Sequence, residues 1–459
     1  MNKRSIIFLF TLSCLAAPLR AADWPEWRGP TRNGIAAGGP RLADTWPAEG
    51  PPQVWRSEFI PGNQRGNLSS PVVADGRVYL YANWRYMEPV AARTLTADGF
   101  DRIKREKGAN PASVAMLEGI KDRQFADQDE LDRWFAANGI TGVMRTLAMK
   151  HIPVSVEAAR DTLLALDAAT GKIVWKSEFP GRYVGVESSS TPCVAGGRCT
   201  FLGSHRNVCC VDAKTGSRLW TAETPHGKDV SSSFLVADGL AVVLAKELVA
   251  FDAQSGKLQW TQPAVKGASS SPSLWRHDGK AYVIVNTSQK IACADLATGK
   301  LAWVVPGMKG EHSSPAIVGD RLAITGSDGL AAYRLAPEAA EKLWAVDRCR
   351  EGSTSPLIVG DHVYVVGSRT FCVEWATGRV AWESRAAGYI ASPLAADGKI
   401  IGTNGEEFFM FKAAPDAYAS LGRVRVNMLH CASPALTDGR LYVRLEDSVA
   451  CYDLRARGM

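Results

Sequence analysis

An eleven-residue unit that occurs five times constrains the fold of this chain more than any other feature. The copies are ALDAATGKIVW (165–175), CVDAKTGSRLW (210–220), AFDAQSGKLQW (250–260), CADLATGKLAW (293–303) and CVEWATGRVAW (372–382). Each copy has two short apolar runs around a Thr-Gly or Ser-Gly pair, which is typical of two β-strands joined by a tight turn. A hairpin that returns at regular intervals indicates a repeat architecture.

A second hairpin precedes each of these units and opens with Ser-Ser-Pro or a close variant of it. Eight such hairpins occur, at 69–81, 190–202, 232–244, 270–284, 313–325, 354–366, 391–403 and 432–444. From the second hairpin onward, the residue after the Ser/Thr pair returns every 37 to 43 positions. Four strands in each period of this length are typical of a β-propeller blade. The sequence therefore predicts an all-β fold, an eight-bladed β-propeller of four-stranded antiparallel blades.

The blade count also predicts how the ring closes and where the domains begin. The last blade reaches only its third strand before residue 459, whereas 51–59 carries a repeat-like Trp55 without a hairpin of its own. We expect 51–59 to supply the missing strand, so that the propeller covers 51–459 and residues 23–50 form a lead-in. Closure of this kind leaves no exposed sheet edge.

A long insertion, 84–160, separates the second and third strands of the first blade. Apolar residues at helical spacing predict two amphipathic helices there, one around Leu117 and one containing Leu131 and Phe135. Asp127, followed three residues later by Glu130, predicts the start of the second helix. We expect this helical insertion either to form a partial cap at the axial opening or to decorate the outer rim.

Tryptophan ends most of the eleven-residue units, and we expect its flat indole ring to pack against the turn of the neighbouring blade. The residues assigned to this structural role are Trp55, Trp175, Trp220, Trp260, Trp303, Trp344 and Trp382. In the fifth and seventh blades the sequence matches the eleven-residue pattern only in part, and the seventh blade has no tryptophan at its end. We therefore expect these two junctions to be weaker.

The first 22 residues have the composition of a secretory signal peptide. Lys3 and Arg4 precede an apolar run at 6–15, and small residues stand at 21 and 22. Lipoprotein processing at Cys14 is the alternative. We expect a periplasmic or secreted monomer without a transmembrane segment, because no other apolar run approaches the length of a spanning helix. The formal net charge of +6, part of which lies in the leader, gives no reason to expect a nucleic-acid partner.

The repeated unit resembles the tryptophan-docking motif of the pyrroloquinoline quinone (PQQ) repeat. That repeat is found in quinoprotein alcohol dehydrogenases and in the outer-membrane assembly lipoprotein that shares their propeller. The segment DWPEWRGPTRNGI (23–35) also resembles the lead-in of secreted bacterial PQQ-like propeller proteins. The motif describes how blades pack, so the resemblance implies a fold more strongly than a chemistry.

Polar residues gather in the loops between blades, which should converge on one face of the ring at a funnel mouth. This pattern predicts a binding site there, since a concave surface with convergent polar groups is the usual place for a ligand. The candidate residues are Arg65, Asn67, Glu187, Asp229, Lys266, Glu311, His312, Arg350, Tyr389 and His430. No catalytic or metal-ligating residue is assigned.

The resemblance to quinoprotein dehydrogenases implies specific parts that can be sought in the sequence. Those enzymes hold PQQ between a tryptophan floor and often a disulfide of adjacent cysteines, with calcium bound by Glu, Asn and Asp and an Asp acting as base. Here the adjacent pair Cys209-Cys210 falls in the third strand of a blade. No segment matches the calcium or base motifs.

The sequence therefore favours an exported, non-catalytic propeller that acts as a binding or assembly scaffold through its funnel face. A protein partner or a small-molecule or glycan ligand is expected there, and no cofactor. One alternative is a PQQ- and calcium-dependent alcohol or sugar dehydrogenase. Another is a secreted polysaccharide-associated binding protein.

Overall fold

The computed structural model describes residues 23–62, 67–182, 189–226, 230–310, 312–386, 388 and 390–456. The described part of the chain divides into a propeller unit and a smaller helical unit, the latter formed by 83–162 and 178–182. None of the helices in these described ranges is both long and apolar enough to cross a membrane.

The elements up to the end of the first blade follow one another in the order β1 (Gln53–Arg56), β2 (Val72–Ala74), β3 (Arg77–Pro89), β4 (Arg93–Thr94), α1 (Ala97–Arg105), α2 (Pro111–Glu118), β5 (Gln124–Phe125), α3 (Gln128–Ala137), α4 (Gly142–His151), β6 (Ser155–Asp167) and β7 (Ile173–Pro180). Blades 2 to 4 contain β8 (Cys193–Ala195), β9 (Arg198–Leu202), β10 (Asn207–Asp212), β11 (Arg218–Glu223), β12 (Leu235–Ala237), β13 (Leu240–Asp252), β14 (Leu258–Gly267), β15 (Ser273–His277), β16 (Lys280–Thr287), β17 (Lys290–Asp295) and β18 (Leu301–Pro306).

Blades 5 to 8 contain β19 (Ala316–Val318), β20 (Arg321–Gly326), β21 (Gly329–Ala336), β22 (Ala339–Val346), β23 (Leu357–Val359), β24 (His362–Val366), β25 (Thr370–Glu374), β26 (Val380–Ser384), β27 (Leu394–Ala396), β28 (Lys399–Thr403), β29 (Glu407–Lys412), β30 (Ser420–Arg425), β31 (Ala435–Thr437), β32 (Arg440–Arg444) and β33 (Val449–Asp453). The fold is the predicted eight-bladed propeller of antiparallel four-stranded blades. In blade 3 the second and third strand positions form one run, β13, and Lys246 in its middle has a positive φ of 65°.

The last blade contains strands from both ends of the described chain. β1 pairs antiparallel with β33, and Trp55 stands opposite Cys451 in that pairing. The sheet order is therefore β1-β33-β32-β31. This pairing occupies the outer edge of β33, so blade 8 is closed by hydrogen bonds to a segment almost 400 residues earlier in the chain.

Apolar side chains pack between neighbouring sheets, and the indoles of the repeated unit lie at the outer part of these layers. The indole of Trp175 lies over the turn of the next unit, where a methyl group at Gly216 would come within 2.7 Å of the ring. Gly216 also has a φ of 74°, which only glycine adopts without strain. At the next two junctions, the indole N–H groups of Trp220 and Trp260 donate to backbone carbonyls of the following blade.

The Ser/Thr pair that opens each blade has a role that the sequence analysis did not assign. In all eight blades the second residue of the pair donates its backbone N–H to the side-chain oxygen of the equivalent residue in the next blade, at 2.8–3.2 Å. The last of these bonds runs from Ser433 back to Ser70. We call this closed circle the hydroxyl ring; its members are Ser70, Thr191, Ser233, Ser271, Ser314, Ser355, Ser392 and Ser433.

The N-terminal lead-in is also ordered, and part of it crosses the propeller axis. Trp24 pairs with Val73 of blade 1, and the backbone of Gly34 bonds to Ala395 of blade 7. Between these points, Asn33 reaches the carbonyl of Ile317 in blade 5. A segment bonded to innermost strands on opposite sides of a ring must lie across its central opening. We call residues 24–36 the N-terminal plug.

The helical unit contains both predicted helices, α2 and α3, together with α1 and α4, which the sequence analysis did not predict. The side chain of Asp127 accepts a hydrogen bond from the backbone N–H of Glu130 and so caps α3 as expected. Leu117, Leu131 and Phe135 are buried in the core of this unit. The role of the insertion as a cap for the axial opening stays a prediction.

Candidate functional site

A cavity of about 520 Å³ lies on the propeller axis. Every blade contributes to it the residue that directly precedes the Ser/Thr pair. We call these eight residues the cavity wall; they are Leu68, Ser189, Ser231, Ser269, His312, Ser353, Ile390 and Cys431. Five members of the hydroxyl ring also line the cavity: Ser70, Ser233, Ser271, Ser392 and Ser433. The repeat thus places equivalent positions of eight blades around one site.

The N-terminal plug forms the side of this axial cavity opposite the wall, and Trp27 is the plug residue that lines it. Arginine side chains hold the plug in place through backbone carbonyls of the innermost strands. Arg32 donates to the carbonyl of Phe234 at 2.8 Å, and Arg28 donates to that of Pro356. The plug therefore makes the axial opening a blind cavity rather than a channel.

Charge inside the plug is only partly balanced. Arg32 forms an ion pair with Glu26 at 2.6 Å, and both residues are buried. Burial raises the pKa of Glu26, and the neighbouring Arg32 opposes this shift. Burial, with a smaller effect from the charge of Arg32, lowers the pKa of Arg28 to about 9, which still leaves its guanidinium charged at neutral pH. Arg28 lies 5.7 Å from the centre of the Trp27 ring.

Lys246 and His430 are the remaining polar groups of the axial cavity, outside the wall and the hydroxyl ring. Lys246 makes no ion pair with any described residue, and its backbone is in the left-handed region. Burial lowers the pKa of His430. Ile390 in the wall also has a positive φ, 57°, which is rare for a β-branched residue and marks local strain.

Two of the ten predicted site residues, His312 and His430, line the axial cavity. Among the others, Lys266 and Arg350 are exposed and Asn67 is buried, and none of these three lines the cavity. Arg65, Glu187, Asp229, Glu311 and Tyr389 lie outside the described residues.

Sequence reasoning missed the serines, Lys246 and Trp27. The signal for the serines was present, since a small polar residue often stands directly before the Ser/Thr pair. The position of Lys246 in the middle of β13 gave no comparable signal.

The cysteines do not form a lid over the cavity. Cys209 and Cys210 lie in β10 and are buried within their blade. The nine cysteines of the described chain are all free thiols. Eight of them are buried, whereas Cys431 is only half-buried and lines the axial cavity. Burial raises its pKa to about 12, so the thiol is protonated at neutral pH.

Comparisons with known proteins agree with this architecture. The family model described as outer membrane protein assembly factor BamB matches residues 134–278 and 245–354. A quinohemoprotein alcohol dehydrogenase from Comamonas testosteroni is 27% identical over 164 residues. That alignment covers 34% of this chain and only 20% of the dehydrogenase.

Solved structures show the same fold at low sequence identity. BamB from Moraxella catarrhalis superposes with a TM-score of 0.53 at 15% identity, covering 65% of this chain and 90% of BamB. The Comamonas testosteroni dehydrogenase superposes with a TM-score of 0.61 at 11% identity, covering 97% of this chain and 82% of the enzyme. This chain is a PQQ-like β-propeller protein. For the PQQ-like propeller, these structural likenesses establish the fold and not the activity.

Proposed function

We propose that this PQQ-like propeller is an exported, non-catalytic protein that binds a ligand or partner at the loop-rich face of its ring. The observation that carries the proposal is the axial cavity, to which all eight blades contribute equivalent residues and which the N-terminal plug closes on its other side. A blind cavity on the symmetry axis of a rigid scaffold is a favourable place for binding. The match to the BamB model is consistent with an assembly role, and the composition of residues 1–22 supports export.

The chemistry of the described lining residues favours binding over catalysis. A serine nucleophile needs an adjacent base within hydrogen-bond reach. The cavity-lining members of the hydroxyl ring instead accept backbone N–H groups, and no described histidine or carboxylate is bonded to them. The thiol of Cys431 is protonated because its pKa is raised. These groups can donate hydrogen bonds to a ligand, but none is activated for attack.

A cavity-filling variant would test this proposed function. Ser269→Trp would place an indole in the wall, whereas Lys257→Trp would place one on the exposed turn between β13 and β14. Both proteins would be used as bait with the envelope fraction of the native host, and retained proteins and small molecules would be quantified by mass spectrometry. We expect Lys257→Trp to retain the same material as the wild type and Ser269→Trp to lose it. Equal retention by all three proteins would contradict the proposal.

A PQQ- and calcium-dependent dehydrogenase is the second candidate, and Trp27 is the observation that favours it. A tryptophan lies against the axial cavity, as the tryptophan floor of the quinoprotein enzymes would require. The other residues fit poorly. The described lining includes no carboxylate to bind calcium, and the adjacent cysteines lie in β10, away from the cavity. Dye-linked alcohol oxidation by protein reconstituted with PQQ and calcium would support this candidate over the binding function.

A further inference from the structure

The side-chain hydroxyl groups of the hydroxyl ring can still donate hydrogen bonds. Each of its eight oxygens accepts one backbone N–H from the preceding blade, and all eight bonds run in the same direction around the ring. No described residue accepts the hydroxyl proton of any of the eight. All eight residues are at most 5% exposed. Buried hydroxyl groups normally find an acceptor, so those that line the axial cavity favour a guest with acceptor atoms.

The cavity wall has a polar side and an apolar side. Blades 2 to 6 contribute hydroxyl groups and one imidazole, from Ser189, Ser231, Ser269, His312 and Ser353. Blades 7, 8 and 1 contribute Ile390, Cys431 and Leu68, and the last two pack together in one apolar cluster. At the level of the wall, a guest therefore meets hydrogen-bond donors on one side and mainly carbon and sulfur on the other, where His430 of blade 8 also lines the cavity.

Positive charge is present on the polar side and behind the floor. Lys246 belongs to blade 3, whose wall residue is on the polar side, and it lines the cavity. Arg28 lies behind the Trp27 ring, and no described carboxylate neutralises it. The described lining contains no aspartate or glutamate. A half-buried ammonium without a carboxylate partner favours an anionic guest, because low local polarity strengthens the attraction.

We propose that the axial cavity binds a small organic acid. Its carboxylate would bind Lys246 and the hydroxyl groups of the polar side, and its carbon skeleton would pack on Trp27 and against Leu68 and Ile390. This inference rests on the proposed binding function and names the chemical class of the ligand. It needs no metal ion and no redox step.

Binding of 2-naphthoate and its neutral analogue 2-naphthamide would test the proposal by calorimetry without added calcium. We expect the wild-type protein to bind naphthoate at least tenfold more tightly than naphthamide. Lys246→Met should abolish this preference, because it removes the charge and keeps the side-chain length. Lys266→Met is the matched control, since Lys266 lies on β14 outside the cavity. It should leave both affinities unchanged.

The thiol of Cys431 offers an independent readout of where the acid binds. The other eight described cysteines are buried, so a small methanethiosulfonate reagent at pH 9 should modify Cys431 first, with Cys431→Ala as the control. Naphthoate should slow this modification severalfold in the wild type and not in Lys246→Met.

Three outcomes would overturn the organic-acid proposal: no naphthoate binding, equal binding by Lys246→Met, or unchanged labelling of Cys431 at saturation. If the proposal fails in this way while Ser269→Trp still loses its envelope partner, the proposed binding function stands without it. If Ser269→Trp keeps both its envelope partner and its acid binding, the proposed binding function and the organic-acid proposal are both contradicted.

Discussion

At the scale of single residues, the hydroxyl ring explains why the second position of each Ser/Thr pair never changes to alanine, although the first position does in blades 7 and 8. Only a side-chain oxygen at the second position can accept the N–H of the preceding blade. The sequence showed the recurrence but not its cause. Six of the bonds join residues 37 to 43 positions apart, and the other two join residues 121 and 363 positions apart, so they become visible only once neighbouring blades are in contact.

Ser314 allows a direct test of one ring bond. It accepts the backbone N–H of Ser271 at 2.8 Å and is 1% exposed. Ser314→Ala should lower the free energy of unfolding by about 1 to 3 kcal/mol, because a buried N–H loses its acceptor. Ser314→Thr keeps the oxygen, as Thr191 does in blade 2, and should cost less than about 1 kcal/mol. Denaturant unfolding would measure both, and equal losses would contradict a specific role for the bond.

His430 should make stability depend on pH. Burial lowers its pKa in the folded protein below the ordinary value, so the unfolded chain binds a proton more readily. The associated stability is fully present above pH 6.5, the ordinary histidine value, and is lost as the pH falls from 6.5 toward the lowered folded pKa. His430→Gln should therefore lose less stability than the wild type between pH 7 and pH 5. Parallel unfolding curves for the two proteins across this range would contradict the assignment.

At the scale of elements, the seventh blade shows both the strength and the limit of sequence reasoning. The sequence shows that its outer strand has no tryptophan. In the structure, Gly422 of that strand pairs with Met410 and occupies the position that tryptophan has in the other blades. The N-terminal lead-in supplies a replacement. Trp46 lies over Gly422, 2.7 Å from where a side chain would begin, and contacts Phe408 at 5.5 Å between ring centres. The use of Trp46 in place of the missing indole was not predictable, because nothing in the periodicity of blade 7 points to residue 46.

Moving the indole back to its usual place would test whether Trp46 replaces it. Trp46→Ala should lower the free energy of unfolding by about 2 kcal/mol, since a half-buried aromatic side chain is lost. The double variant Trp46→Ala/Gly422→Trp should recover most of this loss, whereas Gly422→Trp alone should destabilise through overlap with Trp46. Independent, additive effects of the two changes in chemical denaturation would contradict the exchange.

At the scale of the whole molecule, the repeat predicted the ring size and the sheet composition, because every blade carries its own hairpin signals. The axial cavity was predicted only as a converging set of loops. Its Trp27 floor depends on the N-terminal plug, whose side chains bond to carbonyls 201 to 328 residues away. Contacts of this kind have no local pattern, so the lead-in could be recognised as a motif but not placed.

The ion pair of the plug gives a prediction at this scale. Arg32→Met would leave Glu26 buried without its partner and should cost about 3 kcal/mol of unfolding free energy. The double variant Arg32→Met/Glu26→Met should lose less than the single variant, because no buried charge remains, although the carbonyls of Ser233 and Phe234 still lack their donor. Thermal and denaturant unfolding would compare the two. A double variant less stable than Arg32→Met would contradict this account of the plug.

The most direct test of the central claim is a crystal structure of the wild-type protein soaked with 6-bromo-2-naphthoate, with bromine located by its anomalous signal. The account predicts one bromine inside the axial cavity on the side of Leu68 and Ile390, with the carboxylate within hydrogen-bond distance of Lys246. Bromine only at the outer rim of the blades, or a carboxylate turned away from Lys246, would contradict it.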